Sequence, residues 1–156
     1  MGASVAAIEE VYRARGGAFL RLALARTGDP ERARDALHEG FARAIRGRAG
    51  FADRGSLEAW IARCVINAAH DSQPADDYVV LEEGLVEEPA LAEQLIARDA
   101  VARLPRRQRD AIFLRHYLEL SYAEIAEALQ IEVGTVSATL HAARQALLES
   151  LQEAVC

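Results

Sequence analysis

A serine and a glutamate three residues apart, Ser121 and Glu124, precede a short apolar run in the last third of the chain. This spacing is typical of a capping box, in which each side chain accepts the other residue's backbone N–H at the start of a helix. We predict a turn over residues 130–134 and a second helix beginning at Thr135, where free N–H groups favour a phosphate. Two such helices joined by a tight turn indicate a helix-turn-helix, whose second helix enters the major groove of DNA.

The residue types that serve catalysis or metal binding are present but lack the necessary spacing. They are four histidines, two cysteines and two acid pairs: His38, His70, His116, His141, Cys64, Cys156, Glu82-Glu83 and Glu87-Glu88. The sequence contains no metal-ligand or redox spacing, no glycine-rich phosphate loop and no nucleophile elbow. We therefore expect a binding protein without enzymatic activity, cofactor or metal.

Charge divides the chain into three stretches, although its net value is −6 and all 18 basic residues are arginine. Residues 1–72 hold 11 arginines against 9 acids, residues 73–99 hold 1 against 8, and residues 100–156 hold 6 against 7. The middle stretch also has the proline and paired acids of a linker. Alanine, leucine, glutamate and arginine dominate, which favours helix throughout. We predict an all-α protein with two small helical domains, 1–72 and 100–156, joined by an acidic linker, 73–99.

Capping residues and apolar periodicity place the helices of both domains. In the first domain we predict helices over 5–25, over 31–46 with Asp29 as its cap, and over 57–71 with Ser56 as its cap. In the second we predict helices from about 89 to 104, from 105 to 118, from 122 to 129 and from 135 to 151. The last helix has an apolar face: Val136, Leu140, Ala143, Leu147 and Leu151.

Several segments resemble bacterial RNA polymerase sigma factors, and most closely the extracytoplasmic-function group. Residues 104–109 (LPRRQR), 120–127 (LSYAEIAE) and 134–136 (GTV) resemble region 4 of that family. Residues 35–44 (DALHEGFARA), residues 56–63 (SLEAWIAR) and Asn67 resemble its region 2. The resemblance covers nearly the whole chain in the family's order. It implies a protein that binds core RNA polymerase and directs it to promoters.

The resemblance also implies three binding surfaces. The helix over 31–46 would dock on a coiled coil of the largest polymerase subunit through Asp35, Leu37, His38, Glu39, Phe41 and Arg43. The third helix and the loop before it would hold a flipped base of the minus-ten element. A pocket is needed because flipping a base costs a few kcal/mol. The residues implied are Asp53, Arg54, Ser56, Trp60, Arg63 and Asn67. The apolar periodicity of the third helix favours a core role for Trp60 over base stacking. Region 4 would read the minus-thirty-five element through Arg106, Tyr122, Thr135, Ser137, Ala138, Thr139, His141 and Arg144.

The surface predicted to face DNA carries little positive charge. Over 135–144 only Arg144 is permanently cationic, and Glu132 is negative where a phosphate should approach. Gln130 would cost roughly 1 kcal/mol if the turn requires a left-handed residue. Two interpretations remain open: a sigma factor whose weak DNA contacts are compensated by polymerase, or a sigma-like interaction module that binds polymerase or an anti-sigma protein and has lost promoter recognition.

The N-terminus lacks the apolar region of a signal peptide, and no apolar run is long enough to span a membrane. We therefore expect a cytoplasmic protein without membrane insertion. Many relatives are held inactive by an anti-sigma protein clamped between the two domains, and the acidic linker is compatible with such a partner.

Overall fold

Capping side chains fix the starts of four helices. The computed structural model describes residues 2–52, 55–72 and 99–155. Asp29 accepts the Arg32 backbone N–H at 3.1 Å, and Ser56 accepts that of Ala59 at 3.1 Å. Within the described ranges the secondary structure is helical without strands, which confirms the all-α class. The main helices are α1 (Val5–Thr27), α2 (Pro30–Arg46), α3 (Leu57–Ser72), α4 (Arg106–His116), α5 (Tyr122–Leu129) and α6 (Val133–Val155).

The predicted start of the last helix was wrong by two residues. Gln130 ends α5 in the left-handed conformation (φ 56°, ψ 49°), so only Ile131 and Glu132 are needed to reverse the chain. Helix α6 therefore begins at Val133, and the Glu132 carbonyl accepts the Val136 N–H at 3.1 Å. Thr135 is the third residue of the helix rather than its cap.

Helices α2 and α3 cross closely at Gly40. A Cβ atom at this position would lie 2.6 Å from both Cα and Cγ2 of Val65, so glycine is required for this crossing. Beside it, Phe41 is buried and its ring meets those of Tyr12 and Phe19 edge-on, with centroids 5.1 and 5.3 Å apart. The N-terminal three-helix unit is thus held by small and aromatic residues on one face of α2.

A single cluster of buried hydrophobic residues runs through both halves of the molecule. It includes Phe19, Leu22 and Ile61 in the N-terminal half and Leu114 and Leu140 in the C-terminal half. All five residues are fully buried. Helices α1 and α4 are in contact, as are α3 and α5. The predicted linker, 73–99, and the helix predicted from about 89 lie outside the described residues except for the helical residues 99–102. The proposed domain limits stay a prediction.

Candidate nucleic-acid and polymerase interface

The outward face of α6 is exposed along the segment predicted to read DNA. Thr139 is half-buried at its edge. The inner face is fully buried, with Val136, Leu140 and Ala143 at 0% exposure in the same hydrophobic cluster as Ile125 of α5. A fixed crossing of α5 and α6 therefore presents six side chains of this stretch to solvent: Thr135, Ser137, Ala138, His141, Ala142 and Arg144.

The capping box holds α5 in place. The Ser121 hydroxyl accepts the Glu124 N–H at 3.1 Å, and Glu124 Oε1 accepts the Ser121 N–H at 3.0 Å. Partial burial opposes ionisation of Glu124, but the hydrogen bonds from the Ser121 backbone and from the Ser56 and Ser121 hydroxyls outweigh it and lower the pKa of this carboxyl. The predicted helix-turn-helix is therefore present, with both reciprocal bonds formed.

Few cations surround the exposed face of α6. Arg144 Nη1 lies 3.5 Å from the Tyr122 hydroxyl, and the Arg115 guanidinium lies 5.5 Å from the centre of the Tyr122 ring. Burial, together with Arg144 and Arg115, lowers the pKa of His116. Arg106 is half-buried in the first turn of α4. The positive charge near this face is thus concentrated on its Tyr122 side.

The residues predicted to bind polymerase divide into surface and core. Asp35 and His38 are exposed, whereas Leu37 and Phe41 are only 5% and 6% exposed. Leu37 and Phe41 therefore cannot touch a partner in this structure, because the α1 and α3 helices cover the face of α2 from which they project. They hold the exposed face of α2 in position.

Glu39 and Arg43, on the exposed side of α2, belong to an ion-pair network. Glu39 Oε1 accepts Arg43 Nε at 3.1 Å and Arg46 Nη2 at 2.9 Å, and Arg43 Nη1 reaches Asp71 Oδ2 of α3 at 2.8 Å. The hydrogen bonds from Arg46 and Arg43 lower the pKa of Glu39. The network fixes the orientation of two predicted polymerase contacts.

The predicted minus-ten residues that are described lie along one edge of α3. Ser56 caps the helix, Trp60 is half-buried against Phe51 with ring centroids 5.7 Å apart, and Asn67 is exposed. Arg63 is half-buried. The other two predicted residues, Asp53 and Arg54, lie outside the described residues.

Helix α5 of the helix-turn-helix packs against this same edge, which the sequence does not predict. With its amide oxygen facing α3, Gln130 accepts Arg63 Nη2 at 2.5 Å and Nε at 3.3 Å. The Ser56 hydroxyl lies near enough to the Glu124 carboxylate to help lower its pKa. Gly55, with φ 86°, lies so close to the Glu127 carboxylate that a Cβ atom there would collide with it. These pairs are more than 60 residues apart in the sequence, so no local pattern reveals them.

Three arginines of α1 hold the opposite side of the C-terminal half. Arg15 donates to the Tyr117 carbonyl at 2.9 Å, and Arg21 lies over the Tyr117 ring, 4.8 Å from its centre. Arg26 Nη2 lies 2.7 Å from Asp110 Oδ2, with the Asp110 side chain 1% exposed. The two halves are therefore joined by polar contacts at two separate places, α1 with α4 and its following turn, and α3 with α5.

The described part of the chain contains neither a metal-binding cluster nor a membrane-spanning helix. No group of three or more histidine, cysteine or acidic side chains is arranged there to hold a metal ion. None of the helices described is both long enough and apolar enough to cross a lipid bilayer.

The capped α5, the left-handed turn at Gln130 and the exposed face of α6 define a helix-turn-helix protein, with a three-helix unit preceding it. Comparison with protein families shows which helix-turn-helix family the chain resembles. Residues 11–73 match the family model of sigma-70 region 2, and residues 94–147 match that of sigma-70 region 4. The chain belongs to the sigma-70 family of RNA polymerase sigma factors, within the extracytoplasmic-function (ECF) group, as the resemblance predicted.

Relatives and a solved structure agree with this assignment. The chain is 32% identical to the RNA polymerase sigma-E factor of Streptomyces antibioticus, over 92% of this chain and 84% of that protein. It is 30% identical to the ECF RNA polymerase sigma factor SigM of Mycobacterium tuberculosis, over 93% and 77%. Its fold is similar to that of the sigma factor RpoE of Bartonella quintana, solved in complex with the anti-sigma factor NepR, with a TM-score of 0.73, 20% identity, and coverage of 92% of this chain and 95% of that chain.

Proposed function

We propose that this chain is a promoter-specificity subunit that binds core RNA polymerase and directs transcription initiation. The observation that carries the proposal is the exposed face of α6, from Thr135 to Arg144, held over a fully buried inner face. A helix in this setting has the geometry needed to enter a major groove. The protein itself would act in the cytoplasm as a binding factor, and the polymerase would perform the chemistry.

Polymerase binding is assigned to the exposed side of α2. Asp35 and His38 would contact the polymerase directly, together with Glu39 and Arg43, whose ion pairs keep their charged ends in fixed positions. Because these side chains are already ordered by the network, less conformational entropy is lost on binding. Leu37 and Phe41 would act only by supporting this face.

Promoter reading is divided between two weak surfaces. The edge of α3, with Ser56, Trp60, Arg63 and Asn67, would take the minus-ten strand, and α6 would read the minus-thirty-five element. Phosphate neutralisation supplies most non-specific affinity, and α6 holds a single arginine, Arg144. The free chain would therefore bind duplex DNA weakly, and polymerase would supply the remaining affinity.

An anti-sigma protein is a further proposed partner. The similar Bartonella quintana factor was solved with the anti-sigma factor NepR. The same α2 surface that would meet polymerase is exposed here, so a protein that covers Asp35 and His38 would compete with polymerase. Co-purification from the native host would identify such a partner.

The test is transcription in vitro from a genome-wide promoter pool, with purified chain and core polymerase. We expect a subset of promoters to be enriched. Ser137→Glu places a negative charge on the exposed face of α6 and should abolish the enrichment, because like charge repels the phosphates. Gln152→Glu adds the same charge at an exposed position near the end of α6 and should leave it unchanged.

If polymerase binds the chain and no promoter is enriched, the chain is instead an interaction module that has lost promoter recognition. The low positive charge of α6 is the observation that favours this second function. If the chain binds neither polymerase nor an anti-sigma protein, both functions are wrong.

A further inference from the structure

The exposed face of α6 has one side next to the arginines around Tyr122 and another side that is uncharged. We propose that Ala138 and Ala142, on the uncharged side, select promoter sequence by contacting the C5-methyl groups of thymines, while the arginines hold the DNA backbone. This inference rests on the proposed function of α6, and it names the base feature that this helix recognises.

The charged side is built around Tyr122, the first residue of α5. Arg144 Nη1 lies 3.5 Å from the Tyr122 hydroxyl, and the Arg115 guanidinium lies 5.5 Å from the centre of the Tyr122 ring. Arg115 Nη1 also donates to the Leu120 carbonyl at 2.9 Å, which holds the side chain in place. Burial, Arg144 and Arg115 lower the pKa of His116, so this histidine lies near both arginines. A backbone phosphate is neutralised best on this side.

The helical repeat fixes which side chains lie away from the arginines. Successive residues of a helix are rotated by about 100°. Ala138 is two residues from both Val136 and Leu140, which are fully buried, so it points almost directly away from the core. From the Tyr122 side outward, the exposed side chains follow one another in this order: Arg144, Ser137, His141, Ala138, Ala142 and Thr135. A phosphate held by Arg144 therefore leaves the two alanines facing the bases.

The uncharged side lacks the side chains that recognise guanine, adenine or cytosine. Arginine or lysine pairs with guanine, asparagine or glutamine pairs with adenine, and an acid accepts from cytosine. Residues 133–143 contain none of these six residue types. Ser137 and His141 can each form single hydrogen bonds, which discriminate less between bases. The C5-methyl group of thymine is instead recognised by apolar contact with alanine, so thymine is the base that this surface suits.

The size and spacing of the two alanines fit this contact. Because an alanine side chain ends at Cβ, a thymine methyl group can meet the surface of the helix itself. Ala138 and Ala142 are four residues apart, which is about 6 Å along the helix axis. Neighbouring base pairs are about 3.4 Å apart along the duplex. The two alanines would therefore contact thymines about two base steps apart, on either strand.

The test compares two duplexes that differ only in the C5-methyl group. Each spans about two helical turns and has the same fixed order of bases, with adenine and thymine in one and adenine and deoxyuridine in the other. Both carry fluorescein and are titrated with the full chain at low salt by fluorescence anisotropy. Each buried methyl group contributes about fourfold in affinity, so we expect the thymine duplex to bind about tenfold more tightly.

A pair of serine substitutions shows whether the preference comes from α6. Ala138→Ser combined with Ala142→Ser places a hydroxyl group against each thymine methyl, and the thymine preference should fall below about threefold. Ala6→Ser makes the same exchange at an exposed position of α1 and should leave the preference unchanged. Circular dichroism checks that each variant is folded. Because apolar contact releases no counterions, the preference should persist as salt rises, although both duplexes bind more weakly.

Equal binding of the two duplexes by the unmodified chain would overturn the proposal, as would failure to bind either. A thymine preference that survives in the double serine variant, or that Ala6→Ser also removes, would overturn it too. The promoter-pool experiment tests the proposed function separately. Promoter enrichment without a thymine preference rejects this inference alone, whereas a thymine preference without promoter enrichment rejects transcription initiation while the recognition of methyl groups stands.

Discussion

Arg26 and Asp110 join the two halves of the molecule through an ion pair with an Nη2–Oδ2 distance of 2.7 Å, in which the side chains are 14% and 1% exposed. Burial raises the pKa of Asp110 to about 6, although Arg26, Arg109 and Arg106 oppose the rise. The charged pair is therefore formed at neutral pH at a considerable cost in desolvation. Because the pKa of Asp110 is raised, its contribution to the stability of the fold decreases as pH rises, which is the reverse of the usual behaviour of a paired carboxyl group.

Replacing Asp110 by asparagine should change that pH dependence. The folded chain binds the Asp110 proton more tightly than the unfolded chain, whose aspartate has its ordinary pKa of about 3.8. The stability contributed by this group is complete below that value and is lost as pH rises through about 6. The free energy of unfolding of the unmodified chain minus that of Asp110→Asn should therefore fall between pH 4.5 and pH 7, as measured by urea titration.

His116 acts in the opposite direction over part of the same range, since its lowered pKa makes the folded chain less stable as pH falls. Taking the difference between the unmodified chain and Asp110→Asn cancels this contribution. A difference that is constant from pH 4.5 to pH 7 would show that Asp110 titrates normally.

Gly40→Ala should destabilise the N-terminal unit. The new methyl group would meet the Val65 backbone and side chain at 2.6 Å, and α2 and α3 would have to move apart. Overpacking of this kind costs about 1–3 kcal/mol. Gly17→Ala, in α1 with no atom within 4 Å, is the matched control and should instead stabilise by about 0.5–1 kcal/mol. Chemical unfolding of both variants measures the contrast, and equal effects would contradict the close crossing.

Glu119→Gly should stabilise the turn between α4 and α5. Glu119 has φ 55°, a conformation that costs a residue with a side chain about 1 kcal/mol. Its ion pair with Arg15, at 4.0 Å and with a Glu119 side chain 78% exposed, contributes little. Glu119→Gln removes the same ion pair and keeps the unfavourable backbone, so its melting temperature should stay close to that of the unmodified chain while that of Glu119→Gly rises.

Ser121→Ala should weaken the helix-turn-helix by about 1 kcal/mol, because α5 loses the acceptor for the Glu124 N–H. Ser137→Ala provides a control at an exposed position inside α6, where alanine is the better helix former and the change should stay within about 0.5 kcal/mol. Differential scanning calorimetry of the two variants tests the capping box. Equal melting temperatures would mean that the bond adds nothing to stability.

Local rules predicted much of this fold. Asp29, Ser56 and the pair Ser121–Glu124 were identified as caps from neighbouring residues alone, and the structure confirms each of them. The start of α6 was missed because Gln130 alone takes the left-handed position, which shortens the turn. Apolar periodicity places Leu37 and Phe41 on one apolar face of α2, and the structure buries both; they were predicted as polymerase contacts only because the resemblance treats the helix as one docking segment.

The contacts between the two halves could not be predicted. Arg26 and Asp110 are 84 positions apart, and an arginine or an aspartate on a helix is ordinarily a surface residue. The same holds for Arg63 with Gln130, because nothing in either local sequence distinguishes them from other exposed polar residues. Only the three-dimensional arrangement brings the edge of α3 and α5 together.

The shared hydrophobic cluster also bears on how the protein is made. Its N-terminal members end at Ala69 and its C-terminal members begin at Leu104. A ribosome adding about 5–20 residues per second needs roughly 2–7 seconds to cover those 35 positions. During that interval the nascent N-terminal helices expose apolar surface that their partner will later cover. The order of synthesis therefore leaves this apolar surface exposed to water until the C-terminal half has been made.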